Sequence, residues 1–278
     1  MINIDELIAK SNELKPLPET VRRLVGLLSE EEVNVSDVED AFSYDGALSA
    51  KLLRQANSVH GSAGARIGTV SAAVVRLGFD NILAMAVAAC TQEQLTRSLP
   101  QYGMDADGLR RHAQAARLAV DGIRKFSTVS VPPEAATAAL LHDIGKVVMA
   151  ESLDSEVLDF LHQATGGPMI TMDAERELLT VHHGELGGLI AQHWNLPSII
   201  VRGIIYHHDP QNCTEADNWI CHLICVADWF AHAAIHRDQE LEYTTPAPTS
   251  MAVLGIEPAM MKTVTQYVLE GSQLLSIG

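Results

Sequence analysis

The sequence has little of what marks membrane, secreted and nucleic-acid-binding proteins. No apolar stretch reaches the roughly 18–20 residues that a bilayer span requires. The start, MINIDELIAKSNELK, carries acidic side chains where a signal peptide would carry positive charge and an apolar run. Basic residues are outnumbered, since 19 Lys and Arg face 35 Asp and Glu, and the formal net charge is −16. Because nucleic-acid binding needs clustered Lys and Arg, we expect a cytoplasmic protein that binds neither nucleic acid nor a membrane.

Cysteine is also scarce. The four cysteines, Cys90, Cys213, Cys221 and Cys225, are too few to form a disulfide framework in a chain of 278 residues. Cys221 and Cys225 are four residues apart in a helical pattern, with Cys213 nearby, so a structural zinc site is an alternative. The spacing fits no CxxC-type pattern, and buried reduced thiols are the favoured interpretation.

Aromatic residues make up 5% of the chain, and β-branched residues seldom alternate with polar ones, which argues against strands. Ala and Leu are abundant and hydrophobic residues reach 47%, enough for a sizeable core. The hydrophobic periodicity lapses over residues 99–107. We therefore predict an all-α protein in which a helical N-terminal part, residues 1–103, packs on a helical bundle formed by residues 104–278.

The N-terminal part reads as a series of short helices. One starts near Pro18. The next has Ser36 as its N-cap, with Glu39 completing a capping box, and the one after it has Asp45 as its N-cap. A Gly-rich loop covers residues 60–68, and helices over 69–77 and 80–94 are split by Gly78. This last pair resembles a helix-turn-helix in outline. The acidity and the lack of exposed Arg and Lys on its second helix favour packing or partner docking over DNA binding.

The C-terminal part shows longer helical patterns. Prolines open two of them, at residues 133 and 197, where proline is tolerated. A proline-bearing loop is predicted over residues 242–250. The predicted helices are roughly 107–127, 133–151, 155–164, 175–194, 197–208, 216–236 and 258–274.

Histidine is the one residue type in surplus, with 12 in the chain. Five of them fall in a series with two aspartates, in segments about one helix and loop apart, so the side chains come from separate helices. Helical bundles build metal sites from such side chains on facing inner surfaces. The series is His112, the adjacent pair His142 and Asp143, His183, the pair His207 and His208, and Asp228.

These residue types suit a divalent metal. Neutral imidazoles bind Mn, Fe, Ni or Zn, and carboxylates reduce the charge of the site and bridge two ions. Two ions can bind a phosphate between them and supply a nucleophile at neutral pH. Lys146 lies four residues after His142 and three after Asp143, on the same helical face. Its ammonium either stabilises a phosphate or simply reaches to solvent.

Other histidines have simpler interpretations. His182 precedes His183 at a helix start, where it either caps the helix or supports a ligand. The pair His207 and His208 could instead interact with a helix dipole at its C-terminal end. A hydrogen-bonded structural role is expected for His60, His162, His193, His222, His232 and His236.

The motif LLHDIGK, with a preceding His, later histidines and a distant Asp, resembles the HD superfamily of metal-dependent phosphohydrolases. More specifically, the chain resembles the HDOD family, the HD-related output domain of bacterial signalling proteins, over about residues 13–232. The segments that carry this resemblance are LKPLPETVRRLVGLL, LSAKLLRQANS, IGTVSAAVVRLGFDNI, HHGELGGLIAQHWNLPSIIVRGIIYHHDP and ICVADW.

The resemblance implies a helical HD fold with one or two divalent ions, Fe or Mn being favoured over Ni, Mg or Zn. One ion would bind His112, His142, Asp143 and Asp228. The other would bind Asp143, His183, His207 and His208. Asp143 would bridge the two ions as a catalytic residue, with Lys146 near the phosphate. Although many HDOD proteins lack part of this ligand set, every position is matched here.

The resemblance implies two alternatives for function. One is a phosphohydrolase acting on a nucleotide or another phosphoester. The other is a non-enzymatic signalling or scaffold domain that acts through protein partners, because HDOD members are mostly regarded as regulatory modules. Cyclic-di-GMP phosphodiesterases of the related type carry Gly-Tyr-Pro after the paired histidines. HHDPQNCTEADNW stands there instead, which argues against that substrate.

Overall fold

A computed structural model describes residues 4–28, 30, 32–59, 66–153, 159, 172–176, 180–215, 218–235 and 248–276. Of these residues 74% are helical, and they form no strand, only an isolated bridge between Leu99 and Met104. The all-α prediction is confirmed. The interruption around residues 99–104 falls where the hydrophobic periodicity lapses.

Six helices form the N-terminal part. Five lie close to predicted positions, and the first was not predicted because its pattern is short and polar. They are α1 (Ile4–Glu13), α2 (Glu19–Leu27), α3 (Val35–Phe42), α4 (Gly46–Val59), α5 (Val70–Leu77) and α6 (Phe79–Leu95).

Local capping explains where several of these helices begin. The Asp45 carboxylate accepts a hydrogen bond from the backbone N–H of Leu48 at 2.9 Å, as predicted for an N-cap. The predicted capping box at Ser36 was wrong, because the N-cap of α3 is Asn34, two residues earlier, and it makes no side-chain cap. Gly78 separates α5 from α6 with a φ of +82°, a conformation that favours glycine.

The C-terminal part contains eight longer helices among the described residues. A helical turn, Met172–Ala174, precedes the fourth of them. They are α7 (Gly108–Phe126), α8 (Glu134–Leu141), α9 (Gly145–Ser152), α10 (His183–His193), α11 (Ser198–Ile205), α12 (Trp219–Ile235), α13 (Pro248–Leu254) and α14 (Pro258–Ser276).

Several predicted boundaries were wrong. The helix over 175–194 begins only at residue 183, after Thr180 with a φ of +61°. The helix over 197–208 ends at residue 205, and residues 248–250 of the predicted loop open α13. The predicted helix 155–164, apart from residue 159, the loop segments 60–65 and 242–247, and His60, His162 and His236 lie outside the described residues.

The predicted helix 133–151 is two helices, and the His-Asp pair lies in the turn between them. The backbone stays helical there, but its hydrogen bonds shorten to three residues, from Ile144 to Leu141 at 2.9 Å and from Lys146 to Asp143 at 3.0 Å. The Nδ1 of His142 donates a hydrogen bond to the carbonyl of Ala139, at 2.7 Å. Because of this hydrogen bond and the tighter turn, the side chains of His142 and Asp143, the two candidate ligands, lie outside a regular helix.

One hydrophobic cluster runs through both parts of the chain, from Leu7 to Leu269. Helix α7 packs along α12 and α14, α6 packs on α8, and α1 packs on α9 and α10. The division at residues 103 and 104 therefore stays a prediction. Most of α6 is buried against the rest of the protein.

Within the described ranges, no single helix is long and apolar enough to cross a bilayer. Helices α5 and α6 meet that criterion of length and composition only as a pair bent by 118°.

Candidate metal centre

The seven residues of the predicted ligand series come together in the interior of the C-terminal part. They form two groups in which one ligand atom from each member lies within 4.8 Å of all the others. His112, His142 and Asp228 form what we call the first cluster, and Asp143, His183, His207 and His208 form the second cluster. Their role as ligands stays a prediction.

The first cluster is tightly spaced. His112 Nε2 lies 2.8 Å from Asp228 Oδ1 and 3.1 Å from His142 Nε2, and the last two atoms are 3.4 Å apart. Metal–ligand bonds of roughly 2.0–2.2 Å place adjacent ligands about 3–3.5 Å from each other. The three atoms therefore have the separation of neighbours around one ion.

The second cluster is built around His183. Its Nε2 lies 3.0 Å from His208 Nε2 and 3.2 Å from Asp143 Oδ1, and His207 Nε2 lies 3.9 Å from the same oxygen. These residues come from the turn after α8, the start of α10 and the turn after α11. Three segments distant in sequence thus present ligands to one point.

Asp143 connects the two clusters. Its Oδ1 faces the second cluster, whereas its Oδ2 lies 3.5 Å from His112 Nε2 and 3.6 Å from His142 Nε2, in the first. One oxygen for each group is the arrangement of a carboxylate that bridges two ions. The structure thus brings Asp143 to the bridging position that the family resemblance implies.

The ring orientations of three histidines direct Nε2 at the clusters. His142 Nδ1 lies 2.7 Å from the carbonyl of Ala139, and His207 Nδ1 lies 2.7 Å from the carbonyl of Ile204. His183 Nδ1 is 2.7 Å from a carboxylate oxygen of Glu175. Because carbonyls and carboxylates only accept hydrogen bonds, each Nδ1 carries a proton, which makes Nε2 the ring nitrogen that would bind a metal ion.

The polar atoms of the centre lack enough partners within the protein. His207 Nε2 and Asp143 Oδ1 are both buried without a hydrogen-bond partner. Such atoms are costly unless water or an ion satisfies them. Their position inside a set of imidazole nitrogens and carboxylate oxygens fits a divalent transition-metal ion.

Local electrostatics keeps the carboxylate charged and one imidazole neutral. Burial alone would raise the pKa of Asp143, but Lys146, His142 and His183 hold it well below its usual value. Burial, with His142 and His183 adding to it, lowers the pKa of His207 well below its usual value. Both groups are therefore in the form that binds a cation.

Lys146 provides the counter-charge of Asp143. Its Nζ lies 2.7 Å from Asp143 Oδ2 and is buried with it. Burial would lower the pKa of Lys146, but Asp143 raises it above its usual value, so the ammonium persists. The predicted helical proximity is confirmed, and the side chain points inward, not to solvent.

Replacing Lys146 with Met should destabilise the metal-free protein by about 3–5 kcal/mol, because a buried carboxylate loses its partner. Added Mn(II) should reduce this deficit, since the ion supplies positive charge beside Asp143 and binds only the folded state. Thermal unfolding with and without chelator measures both effects. Lys262→Met, at an exposed position, is the control. A deficit that metal leaves unchanged would contradict this assignment.

Three residues near the centre were missed by sequence reasoning. The Glu175 carboxylate is hydrogen-bonded to His183 Nδ1, and the Tyr102 hydroxyl is hydrogen-bonded to Glu175. His232 Nε2 lies 3.4 Å from Asp228 Oδ1. His232 had been assigned a purely structural role, although its position four residues after Asp228 places both on one face of α12. No local pattern signals Glu175 or Tyr102, which lie far from the ligand motifs.

The remaining histidines and cysteines lie outside both clusters. His182 caps α10: its Nδ1 accepts a hydrogen bond from the backbone N–H of Gly184 at 3.2 Å. The Glu185 carboxylate accepts one in return from the backbone N–H of His182. His222 bonds Ser250 at 2.9 Å, as expected for a structural residue, and His193 is exposed. Cysteines belong to neither of the metal-compatible groups found among the described residues.

The arrangement defines a class of protein: an all-α protein whose bundle encloses a paired His and Asp centre like that of HD-superfamily proteins. The HDOD domain model matches residues 14–210, which is most of the chain. The protein belongs to the HDOD family.

Solved structures share the fold. A proposed phosphohydrolase from Shewanella amazonensis SB2B is 25% identical, with a TM-score of 0.68 and 97% of both chains covered. An HDOD domain protein of unknown function from Geobacter sulfurreducens is 23% identical, with a TM-score of 0.66, covering 99% of this chain and 94% of its own. A proposed signal transduction protein from Marinobacter aquaeolei VT8 is 22% identical, with a TM-score of 0.73, and the match covers 96% of this chain and 59% of the Marinobacter chain.

A curated relative, an uncharacterized protein from Treponema pallidum (strain Nichols), is 24% identical over 272 residues. The match covers 94% of this chain and 50% of the relative. The chain therefore spans about half the length of the curated relative it matches.

Proposed function

We propose that the protein is a metal-dependent phosphohydrolase with a two-ion centre, acting on a nucleotide or another phosphoester. The observation that carries this proposal is the position of Asp143, whose two oxygens face separate groups of imidazole nitrogens. The Shewanella protein with the same fold, described as a proposed phosphohydrolase, supports the reaction class. The nitrogen-rich ligand set favours Fe or Mn over Mg.

Two bound divalent ions would stabilise the attacking and leaving oxygens of a phosphoryl transfer. The side chains of the protein would position the ions and stabilise the charge of the phosphate. Asp143 holds the two clusters at a fixed separation, and the Lys146 ammonium lies at the first cluster, where it can hydrogen-bond a phosphate oxygen and stabilise its charge. The carbonyls of Ala139 and Ile204 orient the rings of His142 and His207.

Substrate would approach along the most exposed edge of the centre. His232 and Asp228 have side chains 18% and 13% exposed, whereas those of His142, His207 and Asp143 are at most 2% exposed. His208, in the second cluster, is also only partly buried, so the inner residues lie behind Asp228, His232 and His208. A phosphoryl group can enter here only if this edge opens further.

This burial also supports a second candidate function. A centre this enclosed could bind metal for stability alone, and the HDOD family match is consistent with a signalling domain that acts through protein partners. In that case the metal would be retained without turnover. The same experiment separates the two candidates.

Purified protein should be stripped of metal, reconstituted with Mn(II) or Fe(II), and assayed for metal content and for turnover of phosphomonoesters and cyclic dinucleotides. We expect stoichiometric metal and metal-dependent turnover, with His142→Ala reducing turnover at least about 100-fold, since it removes a ligand. His193→Ala, exposed at the end of α10, is the matched control. Less than half an equivalent of metal would overturn the metal centre. Stoichiometric metal without turnover would favour the signalling role.

A further inference from the structure

A hydrogen-bond chain links the segment between the two parts of the protein to the second cluster. The Tyr102 hydroxyl donates to Glu175 Oε1 at 2.6 Å. The other oxygen, Oε2, accepts from the backbone N–H of His183 at 2.8 Å and from its Nδ1 at 2.7 Å. Glu175 is 0% exposed, so these three donors replace the water that a carboxylate would otherwise bind.

The Glu175 carboxylate fixes His183 in two ways. Its bond to the backbone N–H holds the first residue of α10 in place, and its bond to Nδ1 sets the plane of the ring. With a proton on Nδ1 donated to Glu175, Nε2 is directed at the second cluster, 3.2 Å from Asp143 Oδ1. Burial would raise the pKa of Glu175, but His183 and Tyr102 lower it below its usual value, so it remains an acceptor.

His183 differs in this respect from the other oriented histidines. His142 and His207 bond carbonyls three residues before them, so their orientation is built into their own segments. The orientation of His183 instead depends on Tyr102, which is 73 residues away in sequence from Glu175. A displacement of Tyr102 would reach His183 through Glu175, whereas the bond that orients His142 involves neither residue.

The segment from Leu99 to Met104 holds Tyr102 in place. Leu99 and Met104 exchange backbone hydrogen bonds of 2.9 and 3.1 Å around the helical turn that contains Tyr102. The ring of Tyr102 faces Lys146, whose Nζ lies 5.6 Å from the ring centroid, a cation–π distance. Tyr102 therefore contacts both the carboxylate that orients His183 and the lysine that pairs with Asp143.

We propose that Tyr102 and Glu175 are positioning residues that hold His183 ready to bind a metal ion, and that they make the second cluster depend on the segment joining the two parts of the chain. This inference rests on the proposed metal centre. It also gives a route by which movement of the N-terminal part would regulate one of the two sites and leave the other occupied.

The test is a metal titration of the full-length chain after chelation, using Co(II), whose visible absorption reports on the ligand geometry. Wild type should bind two ions. Glu175→Gln should weaken one of the two sites by about 10–100-fold, the usual cost of losing a carboxylate behind a ligating histidine. Tyr102→Phe keeps the ring beside Lys146 and should weaken that same site by a smaller factor.

Two controls make the outcome specific. Tyr44→Phe alters a tyrosine that is 86% exposed and should leave both sites unchanged. Asp228→Asn should weaken the other site, with a different change in the Co(II) spectrum.

Failure of this inference is distinguishable from failure of the metal centre. If wild type binds no metal, the proposed centre itself is wrong. If wild type binds two ions and both Glu175→Gln and Tyr102→Phe bind them equally well, only the positioning role is wrong. Equal weakening of both sites together with a lower melting temperature would also overturn it, because that pattern reports general loss of packing.

Discussion

Replacing Asp143 with Asn is expected to remove metal from both clusters at once. Each carboxylate oxygen faces a different cluster, and an amide supplies one weak oxygen ligand and a nitrogen that carries protons. Both affinities should fall by more than about 100-fold, beyond the usual cost of losing a supporting residue behind a ligand. Metal content after reconstitution and gel filtration measures the result.

Asp228→Asn is the matched comparison, because it makes the same chemical change at the other aspartate. Among the described residues, the histidines paired with Asp228 Oδ1 are His112 and His142 of the first cluster and His232. This variant should lose one ion and keep the other. Equal metal loss in the two variants, or normal metal content in Asp143→Asn, would contradict a bridging role for Asp143.

Replacing Gly145 with Ala is expected to destabilise the fold and displace His183. A Cβ at this position would overlap the carbonyl oxygen of His183 and lie 2.7 Å from the backbone nitrogen of Gly187. Because the opposing atoms are backbone, the site cannot adjust by rotating a side chain. The loss in free energy of unfolding should reach or exceed the upper end of the about 1–3 kcal/mol that overpacking typically costs.

Gly26→Ala provides the control for Gly145→Ala. It is a glycine near the end of α2, and a Cβ there would meet nothing within 4 Å. Alanine should stabilise the protein by roughly 0.5–1 kcal/mol through its higher helix propensity. Chemical unfolding and metal content should be measured for both variants. Similar stability and metal content in the two would show that the approach of the α8–α9 turn to α10 is not a constraint.

Much of the helical framework could be predicted from the sequence. Pro18, Asp45 and Gly78 mark helix boundaries through local chemistry, because a fixed φ, a side-chain acceptor and a positive φ each act within a few residues. The break at His142 could not be predicted in this way. An apolar run looks the same whether its hydrogen bonds span three residues or four.

Sequence spacing also brought together the seven candidate ligands, because HD-type motifs lie in separate helices of a bundle. Spacing could not show which Asp143 oxygen faces which cluster. It also could not decide whether His207 faces a metal site or interacts with the end of a helix. In the structure its Nδ1 bonds the Ile204 carbonyl at the end of α11, and its Nε2 faces the second cluster.

The sequence by itself determined an all-α fold; it also predicted a boundary where the helical periodicity lapses, over residues 99–107, and a set of seven candidate ligands. Only the tertiary structure decided that Tyr102 and Glu175 lie behind His183 and that His232 contacts Asp228. The reason is physical. Helix periodicity and capping depend on neighbours a few residues apart, whereas the partners of a buried carboxylate are chosen by how distant segments pack around it.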